Sequence, residues 1–417
     1  MSESQQRLIC RLAFVIVCLL PTMFVVWTIF SPGRTARWES RFQDGLGLNA
    51  KIESVTTPLP GIIELHQVSL SDFQAGHLLD LADIKLADTP QGTRCIVSEL
   101  TINAEELGLF LQRINSLLEK KTECKKFRVR FDRINVVHEN ADTKRILSQK
   151  LEDCVLDCQE TATEKKILLD FKLSAATAND CQLAIIVDQT KDKSQVKWIF
   201  KTKGAAVPCW IVSGWIEQMA LLGDDCTFSG EATGGYLAGK PFAQVKGTFV
   251  NLDLSRLVQQ SFPHELTGLA TIEVDKCLIT EQGIVKANGK FSTQQEGLIG
   301  PTLLAAAKQY LSMRTPQDLP IGTVSYGMIE FEFETRSKTE IREDVETRVM
   351  EIAIRGDKSG TLILDSYGIP MLSQSGLEYL PIGNLLQTLL PNGQQQALAN
   401  PQCRQVLALF PSDSHIR

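Results

Sequence analysis

The side chains that could do chemistry in this chain are scattered rather than grouped. The five histidines are His66, His77, His138, His264 and His415, and none has a companion at metal-ligand spacing. Of eleven cysteines, Cys10 and Cys18 lie in or beside a long apolar run, which leaves an odd number elsewhere. An odd count in a chain of 417 residues does not spell a disulfide framework. Several cysteines sit on alternating apolar stretches, Cys181 in CQLAIIV and Cys277 in IEVDKCLI, and read as small buried thiols. Cys154 and Cys158 form a local pair in CVLDC, but no second pair follows to complete a metal site. There is no HExxH and no G-x-S-x-G elbow. Gly33, Gly45 and Gly47 lack the strand-loop-helix setting of a phosphate-binding turn. Acidic residues are numerous but no pair stands out. The expectation is no enzyme, no cofactor and no metal.

What must then be positioned is apolar surface, and the anchor for it is Leu12–Phe30, LAFVIVCLLPTMFVVWTIF. These nineteen residues carry no charge and are flanked by Arg7 and Arg11 before and Arg34, Arg37 and Arg41 after. A bilayer core of roughly 30 Å accepts about 20 helical residues, and lipid tolerates only backbone that satisfies itself. The run is longer than a signal-peptide core and lacks a small-residue cleavage site, so a retained transmembrane helix is expected. Flanking charge favours a cytoplasmic carboxyl side slightly, but long domains can translocate against that bias, so charge alone leaves the sidedness open. Net charge is −6, which excludes a large basic surface for nucleic acid, and 43% hydrophobic residues exclude wholesale disorder.

The reading divides the chain into a short tail (1–11), the transmembrane helix (12–30), a juxtamembrane amphipathic segment (31–50), a β-rich region with a helix at 104–120 (51–137), a polar excursion (138–162), a second β-rich region with a helix at 301–313 (163–370) and a helical tail (371–417). Trp38, Phe42 and Leu46 recur every fourth residue and give the juxtamembrane helix one apolar face. Strand alternation is plainest in FRVRFDRINVV, with Phe127, Val129 and Phe131 on one side and Arg128 and Arg130 on the other. Parity changes near His66–Gln67, which predicts a bulge or bend. ILLDFKLSA and VKWIF continue the series with Ile167, Leu169, Phe171, Val196, Trp198 and Phe200. The few helices cannot cover both faces of so many strands. The expected fold is therefore a mainly β, elongated, curved antiparallel sheet whose apolar groove is lined by those nine residues, Phe127 to Phe200. The alternative is two or three compact α+β domains with dry cores.

The anchor and the strand region behind it resemble bacterial AsmA-like proteins. The residues carrying the likeness are Gly61, Ile63, Leu65, Val68, Leu70, Asp72, Gly76 and Leu79, and in a later section Leu254, Leu257, Leu266, Gly268 and Leu269. The resemblance implies a single-pass inner-membrane protein with most of the chain in the periplasm. It implies an open, taco-like β-groove, and a role in lipid handling or outer-membrane biogenesis between membranes. The partners implied are phospholipid tails or an envelope protein. This chain is shorter and richer in cysteine than that pattern. A membrane-tethered scaffold without lipid transport is the competing expectation.

Overall fold

In the computed structural model the chain is described over residues 33–390 and at Met23. Residues 73–75, 90–91, 110–126, 141–143, 162, 174–179, 189–194, 214–215, 238–239, 260–261, 282, 317, 319, 343–344, 375 and 377 fall outside that description. The expected membrane helix, Met23 apart, thus lies outside the described residues. Among the described residues no helix is long and apolar enough to cross a membrane. The first described element is the helix α1 (Gly33–Leu46). Gly47 closes it at φ +68°, donating its N–H to Gln43 at 2.9 Å.

The rest is mainly β. The strands β1 (Asn49–Leu59), β2 (Ile62–Asp72), β3 (Gly76–Thr89) and β4 (Gly92–Asn103) form a meander. The strands β5 (Phe127–Glu139), β6 (Ile146–Glu160), β7 (Glu164–Leu173), β8 (Asp180–Asp188) and β9 (Gln195–Lys201) continue it. A two-residue strand, β10 (Val207–Pro208), pairs with β11 (Thr227–Leu237), which itself lies beside β9. The ladder runs on through β12 (Lys240–Asp253), β13 (Leu269–Thr280) and β14 (Gly283–Thr293).

Two corrections to the sequence reading concern this sheet. The junction of β4 and β5 is parallel, so the sheet is mixed rather than purely antiparallel. A parallel pair needs a crossover of a dozen or more residues. Residues 104–126 supply it, of which 104–109 are helical and the remainder of the expected 104–120 helix lies outside the described residues. The polar excursion at 138–162 is instead mostly β6, paired along its length with β5 and β7.

The C-terminal part adds β15 (Gly297–Ile299), the helix α2 (Pro301–Tyr310) and β16 (Met313–Arg314), so the helix ends short of the expected 313. The long β17 (Val324–Arg342) bridges β14 and β15 on one edge to β18 (Val345–Arg355) and β19 (Thr361–Asp365) on the other. The expected helical tail begins as a strand, β20 (Pro370–Gln374). It continues through β21 (Leu380–Pro381) into the helix α3 (Ile382–Leu389). The rest of the expected helical tail, 391–417, lies outside the described residues.

A crease crosses the first six strands. On one face the apolar spacing jumps from two to three at Ile52/Val55, Leu65/Val68, Leu81/Ile84, Val97/Leu100, Phe131/Ile134 and Leu151/Cys154. At that line the pairing register skips Glu53 and Gln67, then Ser98 and Asp132, then Asp153. Gln67 and Asp153 take φ +50° and +51° there. An inserted residue bends its strand and restores the same face beyond the bend. Six such bends in register let one apolar face continue through the crease.

Candidate functional site: the apolar face of the central strands

Register shows how the nine sequence-predicted groove residues are arranged. Val129 lies opposite Leu156, which lies opposite Leu169, then Leu183, then Phe200, then Ala232. One step along the strands, Cys158, Ile167, Ile185, Trp198 and Gly234 form the next row. Phe131 lies opposite Cys154, and Phe171 opposite Cys181. Val196 pairs with Val187, which in turn pairs with Lys165, at the far end of the same face. Phe127 holds the register position opposite Cys158, and its side chain lies outside the described residues.

Burial separates these residues. Ile167, Phe171 and Val196 are buried, whereas Val129, Phe131, Leu169, Trp198 and Phe200 are only half-buried. Phe131 and Leu169 pack against the same N-terminal cluster, while Ile167, Val196 and Trp198 join a smaller one with Ile185 and Val187. Phe200 touches both the N-terminal and the C-terminal clusters, so the apolar surface does not stop between the halves. Beyond it Phe249, Ile272, Phe291 and Phe331 oppose one another across β12, β13, β14 and β17 as a separate row further along the strands, again half-buried. Phe291 stacks on Phe331 with ring centroids 4.8 Å apart.

The two ends of this band are covered. Trp38 and Phe42 of α1, Leu107 and Leu109, and Val212 pack against the N-terminal cluster, to which Trp210 and Ile211 belong. Along the crease Leu65 and Val68 are essentially inaccessible, at 0% and 1% exposure. The opposite face is polar and laced with cross-strand ion pairs. These include Lys85–Glu64 at 2.8 Å, Lys201–Glu231 at 2.7 Å and Arg336–Glu351 at 2.7 Å. The cations of these pairs are 40–56% exposed, so solvent screens them and they add little stability.

Sequence reasoning missed the device that shapes the middle of the band. Gly234 stands opposite Trp198, and a Cβ on Gly234 would lie 2.2 Å from the indole. The ring therefore lies across the glycine and fills the missing side chain's space. A glycine opposite a tryptophan is readable only once register is known.

The polar face holds one constellation with the connectivity of a nucleophile, base and acid. Thr56 Oγ1 lies 3.0 Å from His66 Nε2, and His66 Nδ1 lies 2.6 Å from Asp83 Oδ1. The three residues form a cross-strand row on β1, β2 and β3. The imidazole is one-third exposed and the Asp83 side chain half-exposed. Preorganised catalysis draws its strength from a water-excluded site, which this row does not have. The row reads as cross-strand hydrogen bonding. Nearby on the same face, Lys51, Glu53, Gln67, Asp80 and Glu99 border a concavity of 650 Å³ where the crease opens the polar side.

The thiols of the apolar face are inert. Burial pushes Cys95, Cys181 and Cys277 up to about 11 and Cys154 up to about 12. Thiolate is the reactive and ligating form, so these groups are poor nucleophiles and poor ligands. Among the described residues no cluster of histidine, cysteine and carboxylate could hold a metal. No protein-family model matches the chain, and no curated protein matches it.

Proposed function

We propose that this chain is a membrane-anchored envelope protein that handles lipid through its apolar sheet face, in the manner of the AsmA-like proteins its sequence resembles. The observation that carries the reading is the half-buried apolar row Val129–Leu156–Leu169–Leu183–Phe200, running across five strands between two covered ends. Removing apolar surface from water is worth about 25 cal/mol per Å². A folded protein therefore hides such a row, and a contiguous apolar row left partly open to solvent suits an interaction site. Acyl chains suit this row because it offers no charge and no side-chain hydrogen-bond donor. The crease bends the sheet toward a trough. The run 12–30 would tether the sheet to an inner membrane, with its bulk in the periplasm.

The test is native mass spectrometry of full-length protein extracted in mild detergent. The expected result is co-purifying phospholipid that is lost on Leu183→Asn together with Phe200→Asn. A lipid-free spectrum across several gentle extractions would overturn the reading. Recovery of one stoichiometric protein partner in place of lipid would favour the tethered scaffold.

A further inference from the structure

The two halves of the molecule meet at the segment from Cys209 to Cys226, and this segment carries a covalent option that the lipid reading does not use. Cys209 follows β10 and Cys226 precedes β11, so the two continue the same ladder. The Cys209 N–H donates to the Cys226 carbonyl at 2.8 Å, and the two Sγ atoms lie 3.3 Å apart. Directly opposed, hydrogen-bonded residues in an antiparallel pair have Cα atoms about 5.5 Å apart, inside the roughly 4.4–6.8 Å range of disulfides. Both side chains are buried, and the neighbouring thiol together with burial pushes the Cys209 pKa far up.

We propose that Cys209 and Cys226 form a structural disulfide that closes the 209–226 loop at the joint between the two halves. That joint is a busy one. Trp210 and Ile211, next to Cys209, belong to the N-terminal cluster, while Cys209 and Cys226 themselves belong to the C-terminal one. Two residues before Cys226, Asp224 accepts hydrogen bonds from Asn140 at 2.8 Å and from Arg256 at 2.5 Å. Asn140 follows β5 and Arg256 follows β12, so the same turn reaches both halves. The other cysteines offer less. Cys154 and Cys158 sit four residues apart on one extended strand, about 13 Å end to end, well beyond bonding range. Cys181 is turned to the Thr202 carbonyl at 3.7 Å.

The chemistry is ordinary exchange with a disulfide oxidant such as glutathione disulfide or an oxidised dithiol protein. The Cys209 thiolate attacks one sulfur of glutathione disulfide, forming a mixed disulfide and expelling one glutathione thiolate. The Cys226 thiolate then attacks the Cys209 sulfur and expels the second glutathione. Two electrons pass from the cysteine pair to the oxidant, and the two cysteine protons end on two glutathione thiols. Burial of both sulfurs places this exchange during folding, before the joint closes.

The experiment uses the full chain in detergent. It is unfolded, reduced, then refolded in a buffer containing glutathione disulfide, alkylated and digested with trypsin. Trypsin leaves both cysteines on one peptide, 204–246, because no lysine or arginine falls between Lys203 and Lys240, the Lys240–Pro241 bond resists cleavage, and the next cut follows Lys246. The expected peptide is lighter by two hydrogens and carries no alkyl group. In a second arm, reductant lowers the thermal midpoint of the oxidised protein by about 5 °C and leaves the Cys209→Ser, Cys226→Ser double variant unchanged. A doubly alkylated peptide, a bond from either cysteine to another one, or a midpoint indifferent to reductant would overturn the proposal. The outcome is independent of lipid, so failure here and failure of the lipid reading are told apart.

Discussion

The central strands and the C-terminal unit solve the same problem in opposite ways. Both begin with amphipathic strands whose apolar side must be hidden. In the C-terminal unit the helices α2 and α3 cover that side. Tyr326, Ile299 and Leu304 are buried to 0–1% exposure there, and the Tyr326 hydroxyl donates to the Thr267 carbonyl at 2.6 Å. His264 ties the cover down: its Nε2–H donates to the Thr388 carbonyl of α3 at 2.8 Å, and Nδ1 accepts from the Thr302 hydroxyl of α2 at 3.1 Å. Across β5 to β9 no described helix takes that role along the middle row, and Leu156, Leu169, Leu183 and Phe200 stay half-buried. A filled core and a half-buried face of the same sheet differ in what covers them among the described residues, not in strand chemistry.

The largest effect that sharpens this contrast is expected at Gly297. A Cβ there would lie 2.2 Å from the Thr267 carbonyl oxygen and 2.5 Å from the Tyr326 hydroxyl. Gly297→Ala should cost about 3 kcal/mol or more in urea unfolding, since neither backbone nor the packed ring can yield cheaply. A cost under about 1 kcal/mol would mean the C-terminal core is looser than its burial implies.

A matched pair of truncations tests the contrast itself. Leu304→Ala removes a fully covered side chain and should cost about 3 kcal/mol. Phe200→Ala removes a larger side chain from the half-buried row and should cost only about 1–2 kcal/mol, because part of its surface already faces solvent. Equal or reversed costs would show the row to be filled and would dissolve the distinction.

The smallest expected effect is in pH. Burial holds the His264 pKa below the ordinary imidazole value of about 6.5, against the opposing pull of its bond to the Thr388 carbonyl. Below about pH 6.5 the unfolded chain gains a proton at this position that the folded chain refuses. Stability present above that pH is therefore lost as pH falls. The thermal midpoint should drop more steeply between pH 7 and 5 in the parent than in His264→Gln, and parallel profiles would remove His264 from the account.

Much of the fold is legible in the residues, and the misses have physical causes. The alternation of Val129 and Phe131, and of Ile167, Leu169 and Phe171, is enough to put each set on one face of its own strand, β5 or β7. The shift near His66–Gln67 is one member of a six-strand crease. The other five are just as visible as three-residue apolar steps, but single steps look like noise until their register is aligned. The strand β6 hides for a related reason. Its inward residues include Cys154 and Cys158, and its outward ones are Glu152, Asp153 and Asp157, so the bulge at Asp153 makes ILSQKLEDCVLDCQE look merely polar. The parallel step from β4 to β5 depends on the crossover between them, and a helix between two strands suits it as well as a covering layer. The joint formed by Asn140, Asp224 and Arg256 has no local signal at all, because its members lie far apart in the chain.

The most direct test of the central claim is site-specific photocrosslinking of the full-length protein in membranes. A photoreactive residue is placed in turn at Leu183 on the central row, at Leu304 in the C-terminal core and at Lys197 on the polar face. The account predicts phospholipid adducts at 183 and none at 304 or 197. Adducts absent at 183, or equally abundant at all three positions, would contradict it.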